Sequence, residues 1–248
     1  MFAAFWLLPV ARLVALPAEK GLATYAVVLT SPRYLQSLLQ TLGLSLATTV
    51  ATLVLGGAVG VYLARRRFAG RGLLLSLLTL PLSFPGVIVG FFIILLGGRQ
   101  GLLPQLAGVP TFAYGLFGLF VAYLYFSLPR AIASYTAAAE ALEPELEEAA
   151  RALGASRWRI VRDVWLPQLA PTSIACGAIV FATAMGAFGT AFTLASKFEV
   201  LPLTIYDEFT NYANFATAAA LSIALGLVTW AVLFAARVAG GREPGVAR

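Results

Sequence analysis

Leu38–Arg67 reads LLQTLGLSLATTVATLVLGGAVGVYLARRR. No charged residue interrupts Leu38–Leu63, and Arg65, Arg66 and Arg67 follow at once. About 20 mostly apolar residues are enough for a helix to cross a bilayer. The stretch therefore predicts a membrane-spanning helix with a basic end. Four more runs meet the same standard: Leu73–Leu96, Thr111–Ala131, Ala170–Ala195 and Phe215–Ala236. Phe2–Leu16 is shorter and carries Pro9 and Arg12; it is expected as a tilted or partial sixth span. Its rival reading, a signal peptide, lacks the basic leading residues of such segments.

The whole chain supports this. It has 248 residues, 60% hydrophobic and 11% charged, with mean hydropathy +0.87. A soluble domain carries roughly 25% charged residues. The net charge of +6 is then read as a basic membrane face, not as a nucleic-acid surface. There is no His and one Cys, Cys176, which leaves no intrachain disulfide and no His/Cys metal site. Cys176 is expected as a small apolar packing residue, and no cofactor is expected.

The arginines set the orientation. Arg65, Arg66, Arg67 and Arg71 lie between the first two long runs. Arg130, Arg151, Arg157, Arg159 and Arg162 lie in the approach to the fourth and in its loop. Arg237, Arg242 and Arg248 lie in the tail. The opposite loops hold only Lys20, Arg33, Arg99 and Lys197. The positive-inside rule makes the first group cytoplasmic, with both termini inside and about six spans. Closely spaced small residues in LGGAVG (Leu55–Gly60) and AMGAFGTA (Ala184–Ala191) suit tight helix packing, with a conformational pivot as the alternative.

No Asp or Glu lies in the middle of a confident span. An ion-coupled secondary carrier, the alternative reading, needs such a group. A membrane-embedded enzyme needs a nucleophile, an acid–base pair or metal ligands, and none is evident. The phosphate-loop pattern G-x-x-x-x-G-K-[ST] is absent, so the chain has no ATPase site of its own.

The loop at residues 140–168 is the most polar part of the chain. Pro144 fits the first turn of a helix, Glu145, Glu147 and Glu148 suit its positive end, and Gly154 suits the left-handed residue that closes it. Ser156 can cap a second helix, and Pro167 is expected to end it. That second helix places Trp158, Val161 and Trp165 on one side, with Ile160 and Val164 beside them, and Arg159, Arg162 and Asp163 on the other. Such a helix suits the underside of a membrane. Ala149 and Ala150 beside Glu148 would let a partner approach closely. Glu, Ala and Arg are also simply good helix formers, so a solvated loop helix fits these residues equally.

The spacing Glu148-Ala149-Ala150, Gly154, Val164, Leu166 and Pro167 resembles the EAA loop of ABC importer permeases, the MetI-like, binding-protein-dependent inner-membrane components. Val164 stands where the family usually has Ile. SLLQTLGLSLATTVATLVLGGAVGVYLARR is similar to the family's second span and its basic end, and LPLSFPGVIVGFFIILLGGRQG and AFGTAFTLASKFEVLPLTIYDEF resemble the third span and the fifth span with its loop in permeases for polyamines, iron, sulfate or molybdate. The resemblance covers nearly all of residues 1–248, which are expected as one permease domain. It implies an all-α, polytopic membrane helical bundle with a cytoplasmic coupling helix, in a bacterial inner membrane. Glu148, Ala149, Ala150 and Gly154 would dock on a separate ATPase, Arg151 and Arg157 would flank the contact, and Val164, Leu166 and Pro167 would lead back into the lipid. The implied partners are ABC ATPase subunits, a second permease, expected as a paralogue in a heterodimer, and an extracytoplasmic solute-binding protein. Tyr206, Asp207, Glu208, Asn211 and Tyr212 lie in an outer loop that could meet that protein. Glu199, Asp207 and Glu208 would suit a cation, so the substrate reading leans to a polyamine. The same residues could pair with the binding protein, and iron, sulfate or molybdate, thiamine or an aminophosphonate stay open.

Overall fold

The computed structural model describes residues 2–18, 23–194 and 198–240, without the side chains of residues 2, 3, 6, 239 and 240. Lys20, Lys197, Arg242 and Arg248 of the charge argument, and Ala195 at the end of an expected span, lie outside the described residues. Within them the chain is helical and contains no strand.

Two helices come first, α1 (Phe2–Ala18) and α2 (Ala23–Thr30). Together Leu7–Ala18 and Ala23–Thr30 are long and apolar enough for a span, but they are bent by 86°. The segment expected as a partial sixth span thus belongs to a bent helix pair. Next is α3 (Pro32–Arg65), 34 residues with Pro32 in its first turn, about 51 Å long at 1.5 Å per residue.

The expected span Leu73–Leu96 is not one helix. It divides into α4 (Arg71–Leu78), a 3-10 turn over Leu80–Ser83, and α5 (Gly86–Gly97), with α6 (Leu102–Ala107) after a short break. Pro81 and Pro85 remove backbone donors, and Phe84, which precedes a proline, is extended at ψ 131, as that position favours. The membrane-long helical stretch here is Gly86–Ala107.

The third run is displaced. α7 covers Leu116–Glu140, not Thr111–Ala131. Gly115 is extended at φ −129, ψ 178. The Phe112 and Ala113 amides both donate to the Gly97 carbonyl, at 3.0 and 3.1 Å, which holds the preceding apolar residues against the end of α5. The shift moves Arg130 from the expected cytoplasmic approach into the middle third of a long helix.

A short α8 (Pro144–Ala152) and α9 (Arg157–Ile160) follow, then a π-helical turn over Val161–Trp165 and α10 (Leu166–Met185). Pro167 does not end the second loop helix. The helical path runs unbroken over Arg157–Met185, because Pro167 lies in the first turn after the π turn. There the Leu166 amide already reaches back to the Val161 carbonyl, and a proline is tolerated in a first turn. α11 (Phe188–Leu194) is separated from α10 at Gly186, so the Ala170–Ala195 run is also broken. The Tyr123 hydroxyl donates to the Ala187 carbonyl at 3.0 Å, which supplies a partner beside the break. α12 (Leu201–Thr210) and α13 (Phe215–Gly240) complete the chain. Five helical stretches are long and apolar enough to cross a membrane, or six with the bent pair.

α3, α7 and α10 form the centre. The LGGAVG stretch sets their spacing: a methyl group on Gly56 would sit 2.6 Å from the Ala131 Cβ, and one on Gly60 would sit 2.6 Å from the Tyr135 Cβ. With hydrogens there, the α3 and α7 backbones meet directly, the close approach that small residues permit between membrane helices. Cys176 is buried with Ala131, Tyr135, Leu169 and Val180, in the apolar role expected of it.

Candidate functional site

The loop at residues 140–168 is built as two capped pieces. α8 starts with Pro144, holds Glu145 and Glu147 in its first turn and Arg151 in its last. Each charge faces the helix end that favours it. At the other end Gly154 takes φ +77. The Ala155 amide donates to the Ala150 carbonyl at 3.0 Å and the Gly154 amide to the Arg151 carbonyl at 2.9 Å, the paired bonds of a Schellman closure. Ser156 then caps α9, its hydroxyl accepting from the Arg159 amide at 3.3 Å. Caps on both sides of one glycine fix the angle between the two pieces.

One side of α8 is tied inward. Glu147 is buried, with 7% exposure. Its carboxylate meets the Arg65 guanidinium at 2.8 Å, pairs with Arg151 one turn along, and accepts from the Trp165 indole N–H at 3.3 Å. Arg65 also lies over the Trp165 ring, 4.8 Å from its centroid. A single carboxylate therefore joins the end of α3, the loop helix and the returning helix. Beside it Arg71, paired with Glu140, ties α4 to the end of α7.

The other side of α8 is open. Glu148 and Ala149 are exposed, Ala150 is half-buried, and Leu153 is 88% exposed. Leu146, Ala149 and Leu153 recur at helical spacing, so the exposed face has an apolar stripe, and the exposed carboxylates Glu145 and Glu148 lie beside it. Gly154 and Arg157 continue this exposed surface. Val164 is half-buried in the π turn, while Leu166 and Pro167 lie exposed where α10 begins. The expected residues thus divide between the outward face of α8 with its turn, and the return into α10. Arg151, expected as a flanking contact, is engaged by Glu147. Trp158 is exposed and Ile160 buried. Sequence reasoning missed Glu147, Arg65, Trp165, Leu146 and Leu153. The four-residue spacing of Glu147 and Arg151 was a readable signal for the first; Arg65 was counted only as a topology charge.

At the opposite end of α3, Arg33 meets Glu199 at 2.9 Å and Glu208 at 3.6 Å. Glu208 is buried and accepts from the Tyr34 hydroxyl at 2.9 Å and the Asn214 amide at 3.3 Å. The outer acidic group is therefore largely satisfied within the chain. Tyr206, Asp207 and Glu208 sit on α12, not in a loop. Tyr206 packs on Phe188 and Phe192, Asp207 accepts from the Asn211 amide at 2.9 Å, and Tyr212 lies under the Arg33 guanidinium. Arg33, Gln36, Gln40 and Asp207 line a cavity of about 770 Å³ there.

A family model described as binding-protein-dependent transport system inner membrane component matches residues 53–241. A probable molybdenum ABC transporter permease protein of Haloferax volcanii is 34% identical over 229 residues, covering 92% of this chain and 82% of that protein. The sulfate transport system permease protein CysT of Escherichia coli is 32% identical over 225 residues, covering 88% of this chain and 81% of CysT. A chain of a solved bacterial alginate ABC transporter, in complex with alginate pentasaccharide-bound periplasmic protein, superposes with a TM-score of 0.82 at 18% identity, over 97% of this chain and 90% of that one. At that identity the likeness speaks for the fold.

Proposed function

The chain belongs to the binding-protein-dependent transport system inner membrane components, and from that premise we propose that it imports a tetrahedral oxyanion of the molybdate or sulfate type, driven through α8 by a cytoplasmic ATPase. As an ABC importer permease it is a multi-pass membrane protein without a catalytic site of its own, and it works with an ATPase and a solute-binding protein. None of the described carboxylates lies in the middle of a membrane-long helix, in keeping with energy that comes from a partner instead of an ion gradient.

The observation that carries the coupling role is the two-sidedness of α8. Its inner face is fixed to α3 and α10 through Glu147, and its outer face offers Leu146, Ala149, Leu153 and Glu148 to a partner. An element that must pass a displacement from one protein to another needs both faces. In this reading Glu148, Ala149, Ala150 and Gly154 contact the ATPase, with Leu153 at the centre and Arg157 at the edge. Val164, Leu166 and Pro167 carry the displacement into α10. Arg151 belongs to the inner joint.

Two considerations favour an oxyanion over a polyamine. The relatives named above are named for molybdenum and sulfate. The acidic residues that suited a cation are occupied: Glu199 and Glu208 face Arg33, and Asp207 faces Asn211. The test is uptake by cells that express the chain with its ATPase and binding protein, using labelled molybdate, sulfate and spermidine. Uptake of spermidine alone overturns the oxyanion reading. The second half of the pore, expected as a paralogue, is identified by co-expressing two differently tagged copies. Recovery of both tags in one complex makes it a second copy instead.

A further inference from the structure

Arg130 lies near the middle of α7 (Leu116–Glu140). Ten residues separate it from the helix end, about 15 Å at 1.5 Å per residue. Its neighbour Ala131 packs on Gly56 of α3, nine residues and about 14 Å before Arg65. Both distances exceed the reach of an arginine side chain, so the guanidinium cannot escape to the basic end by extending along the helix. It donates to the Thr183 hydroxyl of α10 at 3.4 Å, and that hydroxyl donates in turn to the Ile179 carbonyl. A guanidinium has five N–H donors, and Thr183 engages one of them.

Among the described residues no carboxylate answers this charge. Glu140, Glu143, Glu145, Glu147, Glu148 and Asp163 lie from the end of α7 to the start of the α10 path, and Glu199, Asp207 and Glu208 lie at the opposite end of the bundle. A second copy of the chain would bring the same described carboxylates to the same two ends. Arg130 is half-buried, so part of it faces out of this chain. A charge at that depth is costly against lipid, and such residues face a bundle interior or a water-filled path.

We propose that Arg130 lines the translocation path and donates to the oxyanion as it passes. The inference rests on the oxyanion reading above. The planar fork of a guanidinium matches two oxygens of a tetrahedral anion. A single arginine that faces none of the described carboxylates attracts the anion without the multiple contacts that would hold it, as conduction requires.

The test uses the permease assembled with its ATPase and binding protein in proteoliposomes. Arg130→Lys keeps the charge, and Arg130→Gln removes it. Arg130→Gln is expected to lower the kcat/KM for the imported anion by at least about tenfold, the scale of one lost charge-assisted hydrogen bond. Arg130→Lys should restore most of it, and both variants should retain the ATPase and its basal hydrolysis. Wild-type uptake by Arg130→Gln overturns the inference and leaves the oxyanion reading intact. A wild-type transporter that moves no oxyanion overturns that reading itself. Failure of both variants to assemble makes Arg130 a structural or inter-subunit residue and overturns the inference as well.

Discussion

The Glu147 carboxylate and the Arg65 guanidinium meet at 2.8 Å, between a loop helix and the end of α3, the longest helix among the described residues. Among the described residues α8 packs extensively on no membrane helix, and even its contact with the adjoining α9 is small. Motion of α8 therefore reaches the bundle mainly through its two covalent ends and through the contacts of Glu147 with Arg65 and Trp165. Glu147→Gln keeps the shape and can still accept from Trp165, but it removes the charge that faces Arg65 and Arg151. A hydrogen bond to a charged group contributes about 1.5–3 kcal/mol, and solvent access to Arg65 places the expected loss at the lower end. A lowered melting temperature in detergent should accompany import that falls while ATP hydrolysis continues. Glu147→Gln that couples as wild type excludes the joint.

Gly154 has a different job. It sits at φ +77, and a methyl group added there would meet nothing within 4 Å, so the requirement is conformational and not steric. The left-handed conformation costs an L-residue about 1–2 kcal/mol, more for a β-branched one and less for Asn. Import should then rank Gly154 above Asn, Asn above Ala, and Ala above Val. Uptake and binding-protein-stimulated ATPase activity, measured on the same four preparations, check the order. Equal uptake by the Val variant excludes a fixed turn as the requirement.

The loop helix and its closing glycine were legible because caps and helix-end charges are local signals. The long runs were legible as apolar, yet three of their boundaries were not. Leu73–Leu96 hides a break that only Pro81 and Pro85 announce. Thr111–Tyr114 lies in the apolar run but is not helical, because the Phe112 and Ala113 amides are held by the Gly97 carbonyl, about fifteen residues earlier. Hydropathy counts such residues as span. That miscount put Arg130 at the end of a helix and concealed the most unusual charge in the protein. Glu147 was passed over for the opposite reason: its burial depends on Arg65 and Trp165, which no local pattern connects to it.

The exposed face of α8 gives a paired prediction. Leu153 is 88% exposed at the end of that helix, and burying such a side chain against a partner is worth about 1.5–3 kcal/mol. Leu153→Asp should therefore weaken ATPase capture by tenfold or more, each 1.4 kcal/mol being about a factor of ten. Glu148→Arg should do the same by reversing a charge beside that stripe. Neither side chain supports the fold, so both variants should melt as wild type does. Affinity purification of the tagged permease from membranes, with the ATPase quantified, separates the cases. Full capture by both variants removes α8 from the interface.

Close packing at the centre makes the last prediction. A methyl group on Gly56 would come within 2.6 Å of the Ala131 Cβ, whereas Gly43 on the same helix has nothing within 4 Å. Gly56→Ala must push α3 and α7 apart, and overpacking of this kind costs about 1–3 kcal/mol. Gly43→Ala meets no such obstacle and gains the roughly 1 kcal/mol by which Ala exceeds Gly in a helix. Thermal melting in detergent should then move in opposite directions for two identical substitutions thirteen residues apart. If Gly56→Ala melts no lower than wild type, α3 and α7 are not held together by direct backbone approach, and the depth assigned to Arg130 beside them would need revision.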